Sequence, residues 1–492
     1  MPTDDPRLLV AFNRFGYGPR QGDLARTNDP QAAVLAELEG SDGAAMTEPA
    51  LLRTPEALQA VYADQDRKKM EREQATAAQI ALLGMPTPSV AALIQQPPPA
   101  VSVTINDPAA MSAAPALAAK PPSPEQQIFR AEAAARLARA VAAPIGFLER
   151  LVAFWSNHFC ISVAKSNIAR ASAGAFEREA IRPYVTGRFA DMLRAVEQHP
   201  AMLNFLDNAQ SIGPNSRAGR NSDRGLNENL AREILELHTM GVGSGYSQND
   251  VTELARILTG WTIVGREGRL GEPGSFVFNP NAHEPGPATV LGRTYAQMGL
   301  AQGEAALADI ASQPTVANHI AHKFVRHFVA DDPPAPLVAK IAKSFHDSNG
   351  DLGVLAHTLI TDETAWSAPA TKMRNPWEFV VASYRAFDRP VADPGPVLNA
   401  MNLLGMPLWQ PGGPNGFAEE ASAWASSEGM KMRVELAAQF ARQAKDAPNP
   451  ATLIDEIFGR DVSAPTREAI TRAESREQAL ALLLMAPEFQ RR

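Results

Sequence analysis

The sequence predicts a mainly α protein: a large multi-helical globular domain with long loops and at most a short β-hairpin. Apolar residues recur at the three- and four-residue spacing of a helix face over residues 126–262, and helical patterning returns over 301–365 and near the C-terminus. Strand-like alternation is scarce. Residues 263–300 break the helical pattern with Gly and Pro and are the expected place for the hairpin, while 391–418 is rich in Pro, Gly and Asn. At 492 residues, with 45% hydrophobic and 20% charged residues, the chain can bury a sizeable core.

Changes in composition divide the chain into three predicted parts. Residues 1–84 form an N-terminal helical segment that packs on the main body, and Asp29–Pro30 is typical of a helix start within it. Residues 85–125 are rich in Pro and Ala and nearly uncharged, which predicts a linker or a loosely ordered loop. Residues 126–492 form the main helical domain.

The overall composition excludes several classes of protein. A net charge of −8 and a pI near 5.7 argue against a nucleic-acid-binding protein, which usually shows a basic patch. No run approaches the ~18 to 20 uncharged apolar residues needed to span a bilayer, so no transmembrane segment is predicted. No signal peptide is seen, because the N-terminus lacks a basic region followed by an apolar stretch. The chain as given is therefore expected in the cytoplasm, with a periplasmic or envelope-associated location as the alternative. The single Cys160 rules out an intramolecular disulfide.

The stretch NENLAREILELHTMG (227–241) predicts a short amphipathic helix with a polar row along one flank. At about 100° per residue, Asn229, Glu233 and Glu236 fall on one side. An apolar stripe adjoins this row and is expected to pack on the core; it consists of Leu226, Leu230, Ile234 and Leu237. The polar row could bind a metal, act as an acid/base pair, or join an ion-pair network that fixes the helix register. The spacing alone favours the ion-pair network.

Two further helix starts are predicted from local signals. Ser247 with Asp250 three residues later indicates a capping box. The stretch DSNGDLG (347–353) superficially resembles a calcium loop, but Leu352 stands at the sixth position, where an EF-hand requires glycine. Asp351 is instead predicted to cap the helix that follows.

The nine histidines all lie within residues 158–357, which favours a site in the middle of the chain. His158, in FWSNHF, is predicted with equal weight to be a buried histidine or a functional one. His283 lies beside Glu284 in a loop, and such a pair is a candidate ligand or general base. The polar loop 211–225 is a candidate lid or substrate-contacting segment. The sequence contains no Glu-x-x-His pair, phosphate-binding loop, GxGxxG or GxSxG motif.

Several motifs together resemble a known bacterial family. FWSNHF, GLNENLAREILELHTMGVGSGYSQNDVTELARILTGW, the loop histidine before VLGRTY and the closing MAPEFQRR are similar to the family catalogued as domain of unknown function 1800. The resemblance runs from LLVAFNRFGYGPR to the end, and the family has no established activity. Its members are mostly helical and often encoded beside a sulfatase-like companion, which implies work in the envelope or on a secreted polymer. The family's recurring polar positions correspond here to His158, Asp207, Asn208, Asn227, Glu228, Asn229, Arg232, Glu233, Glu236, Asp250 and His283. His238 stands where an aromatic residue is common, which implies that it is not a ligand.

The residues and the resemblance together predict an enzyme with a polar cleft between the 226–240 helix, FWSNHF and the 279–287 loop. The catalytic candidates, which are also the candidate ligands of a divalent metal, are Glu233, Glu236, His158 and His283. The substrate-binding candidates are Asn229, Arg232, Asn208 and Asp207. Hydrolysis, with or without a metal, is the predicted reaction class. The alternative is a non-catalytic assembly or scaffold partner of an envelope or exported enzyme, such as a sulfatase-like companion. Substrate and oligomeric state are not predicted.

Overall fold

The computed structural model describes residues 5–40, 43–83, 121–221, 225–460 and 462–492. It is 60% helical with 4% strand, which confirms the mainly α prediction. The predicted Pro/Ala-rich linker at 85–125 lies outside the described residues as far as residue 120. The predicted boundaries between the three parts of the chain stay a prediction.

Helices occupy most of the described chain. Up to residue 257 the α-helices are Arg7–Val10, Asp23–Arg26, Pro30–Leu38, Thr54–Leu83, Pro124–Ala142, Phe147–His158, Asn167–Phe176, Phe189–Glu197, Pro200–Phe205, Asn229–Glu233 and Gln248–Ile257. Beyond it they are Leu300–Ala311, Pro314–Phe328, Ala335–Asp347, Leu352–Thr361, Glu363–Ser367, Pro376–Ala386, Gly395–Leu403, Ala421–Trp424, Ser427–Gln443, Pro450–Phe458, Ala464–Thr471, Arg476–Met485 and Pro487–Gln490. The π-helical segments are Ala11–Phe15, Glu177–Ile181 and Ile234–His238, and the 3₁₀ segments are Arg182–Tyr184, Asn208–Gln210 and Gly219–Asn221. Within the described ranges, no helix combines the length and the apolar character needed to cross a membrane.

Local capping determines where several of these helices begin. Asp29 caps the helix that starts at Pro30. Ser247 and Asp250 form a reciprocal capping box, with the Ser247 N–H donating to the Asp250 carboxylate at 2.7 Å. Asp351 caps the helix Leu352–Thr361. All three sequence predictions are confirmed, because a cap depends on residues that are adjacent in the chain.

The β structure of the described residues consists of two antiparallel hairpins. The first begins at Trp261, two residues before the segment predicted to break the helical pattern, and the second lies inside that segment. Trp261–Ile263 pairs with Phe276–Phe278, and Ala288–Val290 pairs with Arg293–Tyr295. The sequence predicted at most one hairpin. The second hairpin turns through Leu291 and Gly292, which both have positive φ (51° and 75°), as the two central residues of a type I′ hairpin turn require. Leucine rarely adopts this conformation, so the sequence carries no clear signal for that turn.

The hydrophobic core lies in two large clusters and a small third one, which consists of Ala57, Leu58, Val61 and Ala171. The largest joins the first helices to residues between 145 and 366 and includes Phe154 and Trp155. The second joins residues 133–140 to residues between 377 and 489, and Tyr17 reaches it from the N-terminal part. Phe129 and Trp409 contact both clusters, so the two cores meet along a shared junction.

Candidate functional site

The acidic stretch folds as the short α-helix Asn229–Glu233, which continues directly into the π-helical segment Ile234–His238. A π turn holds more residues than an α turn, so the side chains beyond it are rotated relative to an uninterrupted helix. Leu235 is fully buried and Leu237 is only half-buried. The predicted apolar stripe is therefore wrong at Leu237, since the rotation carries Leu235 into the core instead. Single π turns occur frequently at functional sites.

The acids of this helix divide into a paired group and an unpaired one. Arg232 lies 3.1 Å from the Glu228 carboxylate and 3.4 Å from the Glu236 carboxylate, and it also donates to Gln248 at 3.0 Å. Glu233 has no hydrogen-bond partner among the described residues. Burial raises the pKa of the Glu233 carboxyl, and the nearby Glu236 adds to this rise. Glu236 therefore belongs to an ion-pair network, and Glu233 does not.

A buried His–Glu pair lies behind Glu233. The Nδ1–H of His238 donates to Glu197 at 2.8 Å, and the two side chains are 1% and 0% exposed. Electrostatic interaction with His238 opposes the rise in the pKa of the Glu233 carboxyl. His238 Nε2 has no hydrogen-bond partner within the described part of the chain. The resemblance implied that His238 is not a ligand, so sequence reasoning missed this pair; the only signal was a His on the same short helix.

His158 lies in the core next to this pair. It is 2% exposed, and its Nε2–H donates to the backbone carbonyl of His238 at 3.0 Å. Its ring packs edge-on against Trp155 and Phe159, and Nδ1 is buried with no partner in the described chain. Burial holds the pKa of His158 well below its ordinary value, so the imidazole is neutral. The structure thus brings His158 to the acidic helix, but inside the protein.

The 279–287 loop belongs to a different group of contacts. His283 Nδ1–H donates to the Thr259 carbonyl at 3.0 Å. The Glu284 carboxylate accepts from the backbone and side-chain N–H groups of Asn215 at 2.9 and 2.6 Å, which ties the loop to the polar segment before the acidic helix. In the described chain, no hydrogen bond or ion pair joins His283 or Glu284 to the acidic helix or to His158. The three predicted segments therefore do not share one network of contacts.

The predicted substrate-binding residues lie in different environments. Asn208 is 1% exposed, and its amide donates at 3.1 and 3.2 Å to two backbone carbonyls. These hydrogen bonds give the Asn208 side chain a structural role. Asp207 is half-exposed and pairs with Lys165 at 2.6 Å. Asn229 is exposed at the start of the acidic helix, and Arg232 is one-third exposed within its ion-pair network. Asn229 and Arg232 are thus the two members of this set on the same surface as Glu233.

The four candidate metal ligands do not converge. Across residues 5–40, 43–83, 121–221, 225–460 and 462–492, no group of three or more His, Cys, Asp and Glu residues is arranged to hold a metal ion. A divalent metal in a protein is usually held by at least three such side chains. The described residues do not fit that centre.

A cavity lies where the two core clusters meet, and it holds about 690 Å³ of empty space when its mouth is included. Ser156 and Asn157, from the same FWSNHF motif, line one wall, and the 401–419 segment lines the other. Asn157 holds that segment through two hydrogen bonds with the Phe417 backbone, at 2.9 and 2.8 Å. Trp377 also contributes to the wall. Sequence reasoning missed the cavity because its walls come from widely separated segments.

The cavity is bordered by a buried network of charges. Glu378 accepts from Arg150 at 2.7 Å and from Arg492 at 2.9 Å. Burial opposes ionisation of Glu378, but the two arginines outweigh it and hold the pKa of this carboxyl well below its usual range. His327 donates its Nδ1–H to Glu419 at 2.9 Å, while its Nε2 accepts from Arg150 at 3.3 Å. Since arginine can only donate, His327 is the neutral tautomer with its proton on Nδ1.

These features define a mainly α protein with a π-distorted acidic helix on its surface and a cavity between two helical cores. The chain belongs to the family described as "Protein of unknown function (DUF1800)", which matches residues 10–491. Comparison with curated proteins and with solved structures found no match. The family assignment confirms the resemblance seen in the sequence and brings no activity with it.

Proposed function

We propose that this protein is an enzyme that uses Glu233 as a proton carrier in a hydrolytic reaction. The observation that carries the proposal is an unpaired, half-buried carboxyl whose pKa is raised by burial, beside a histidine that a buried glutamate orients. General acid–base groups work best when their pKa lies nearer the working pH than that of an exposed carboxyl. A histidine held through Nδ1 by a carboxylate is the arrangement that orients a base in many active sites.

Each neighbour has a role in this proposal. In its ionised form Glu233 removes a proton from an attacking water, and it then returns that proton to the leaving group. His238, oriented by Glu197, stabilises the negative charge that Glu233 carries before it takes the proton from water and again after it has returned that proton. Arg232 is held on the surface by Glu228 and Glu236, so it is positioned to bind an oxygen-rich substrate. Asn229 lies one turn before Glu233 and offers an amide to the same substrate.

The test compares wild type with Glu233→Gln on p-nitrophenyl esters, glycosides, phosphate and sulfate. We expect wild type to hydrolyse one of these classes and the variant to lose at least about 100-fold in kcat/KM, the scale of general acid–base catalysis. Glu304→Gln is the matched control, because this half-buried glutamate pairs with Gln198 elsewhere on the surface. Equal rates for Glu233→Gln and wild type on the hydrolysed substrate would refute the role of Glu233.

Stability provides a second readout. A carboxyl whose pKa is raised on folding costs stability when it is ionised, so this cost is present at neutral pH and disappears as the pH falls. Glu233→Gln removes the ionisable group, and its melting temperature at pH 7 should therefore equal or exceed that of wild type. The gain should vanish toward pH 4, where the wild-type carboxyl is protonated.

The second candidate is a non-catalytic scaffold for an exported, sulfatase-like enzyme. The Arg232 network favours it, because Glu228 also accepts from Gln248 and Thr252 at 2.8 and 2.7 Å and so fixes the acidic helix against the next one. A scaffold would show no hydrolysis with any of the four substrate classes.

A further inference from the structure

Arg136 occupies an unusual position in the cavity wall, away from the acidic helix. Its guanidinium lies between two indole rings, 4.6 Å from the Trp377 centroid and 5.4 Å from the Trp409 centroid. The residue is 7% exposed, and Nε lies 3.0 Å from the Glu177 carboxylate. Stacking between two rings holds a guanidinium plane in a fixed orientation. Arg136 is therefore a buried, pre-positioned cation.

The terminal amino groups of Arg136 lack acceptors. Nε is enclosed by protein and makes no hydrogen bond although it lies close to Glu177, and neither Nη1 nor Nη2 has a hydrogen-bond partner in the described chain. Glu177 does not supply one, because its carboxylate accepts from Arg182, Ser156 and Trp409. Glu177 is the anionic neighbour of Nε, so the pair of terminal amino groups is the part of this nearly buried guanidinium that has no anionic partner.

A second free donor faces the same space. Asn375 lines the cavity, and its Oδ1 accepts from the Glu378 backbone at 2.9 Å as a helix cap. Its Nδ2 has no acceptor among the described residues. The two carboxylates of the wall are occupied: Glu378 by Arg150 and Arg492, and Glu419 by His327. The cavity wall thus has hydrogen-bond donors without partners, whereas both of its carboxylates are already paired.

We propose that this cavity binds a small organic carboxylate. Its carboxylate accepts a forked pair of hydrogen bonds from the two terminal amino groups of Arg136, with Asn375 as an additional donor. Its apolar body packs against Met401, Met406 and Leu408. The apolar lining together with a few convergent polar groups is the usual composition of a small-molecule site.

The experiment is calorimetric titration of the full chain with phenylacetate and, separately, with 2-phenylethanol, which keeps the ring and replaces the carboxylate by a hydroxymethyl group. We expect wild type to bind phenylacetate at least tenfold more tightly than the alcohol. Arg136→Gln should weaken phenylacetate binding at least tenfold and leave the alcohol within twofold. Arg130→Gln, on the same helix but exposed and paired with Asp393, is the control and should change neither.

Two further variants protect the test against misfolding of Arg136→Gln. Asn375→Ser keeps a side-chain oxygen for the helix cap and removes the Nδ2 donor, so phenylacetate binding should weaken severalfold at unchanged melting temperature. Arg136→Lys keeps the charge beside Glu177 but loses the fork, and it should also bind phenylacetate more weakly. Equal binding of acid and alcohol by wild type would overturn the proposal. The proposal would also be overturned if Asn375→Ser, together with whichever of Arg136→Gln and Arg136→Lys folds, bound phenylacetate within twofold of wild type.

Discussion

The buried charges beside the cavity make a quantitative prediction for Glu378→Gln. The Glu378 side chain is 3% exposed and accepts from Arg150, from Arg492 and from the Asn375 backbone at 2.7, 2.9 and 3.0 Å. Glutamine keeps the shape but removes the negative charge, which leaves two buried guanidinium groups uncompensated. Removing one partner of a buried ion pair costs about 3–5 kcal/mol of unfolding free energy.

The size of the protein sets the temperature shift that corresponds to this loss. With about 2.1 cal/mol/K of unfolding entropy per residue, the 492 residues give roughly 1 kcal/mol/K. The melting temperature of Glu378→Gln should therefore fall by about 3–5 °C if the chain unfolds as one unit. Differential scanning calorimetry at pH 7 measures it directly. Glu468→Gln is the control, because that glutamate is exposed and paired with Arg472 one turn away, so its shift should stay below about 1 °C.

The pH dependence of the stability difference between wild type and Glu378→Gln shows whether the loss comes from the ion pair or from a packing defect. A carboxyl whose pKa is lowered on folding contributes stability above its unfolded pKa of about 4.3, and that contribution is lost as the pH falls. The difference between wild type and Glu378→Gln should be constant from pH 5 to 8 and shrink below about pH 4. A difference that stays the same down to pH 3, or one below 1 °C at pH 7, would refute the reasoning.

Two other predictions concern the packing around the cavity. Asn157→Ala removes both hydrogen bonds to Phe417. Because each hydrogen bond contributes about 1 kcal/mol, amide hydrogen exchange within 411–419 should accelerate at least tenfold. Unchanged exchange there would contradict the role given to Asn157. Gly174→Ala would drive a methyl group into the Glu132 side chain, where the helices Pro124–Ala142 and Asn167–Phe176 pack closely. This overpacking should cost about 1–3 kcal/mol of unfolding free energy, measured by thermal unfolding. Gly412→Ala is the control and should be neutral, because that glycine has open space around it. Equal melting temperatures for the two variants would show that the contact between the two helices is not rigid.

The sequence predicted the features that depend on neighbouring residues. The caps at Asp29, Ser247 and Asp351 are all present, because each involves residues within one helical turn.

The features that depend on tertiary packing were missed. The π turn at Ile234–His238 has no sequence signature, so the position of Leu235 and the burial of His238 could not be predicted from α-helical spacing. The cavity joins Arg136, Trp377 and Trp409, and periodicity does not reveal which distant residues share a wall. Similarly, helical spacing placed Glu233 and Glu236 in one row. Only the fold reveals that Arg232 pairs with Glu236 and not with Glu233.

The origin of the cavity walls has a consequence for how the protein is made. They are drawn from Tyr17, from Arg136, from the helix Phe147–His158 and from a segment that ends at Glu419. Because a ribosome releases the chain from its N-terminus, no cavity exists until Glu419 has been synthesised and its segment has folded back. A ligand of the cavity would therefore stabilise chains that extend beyond Glu419 and none that end before it. Chains that end before Glu419 would gain no protection from proteolysis by that ligand.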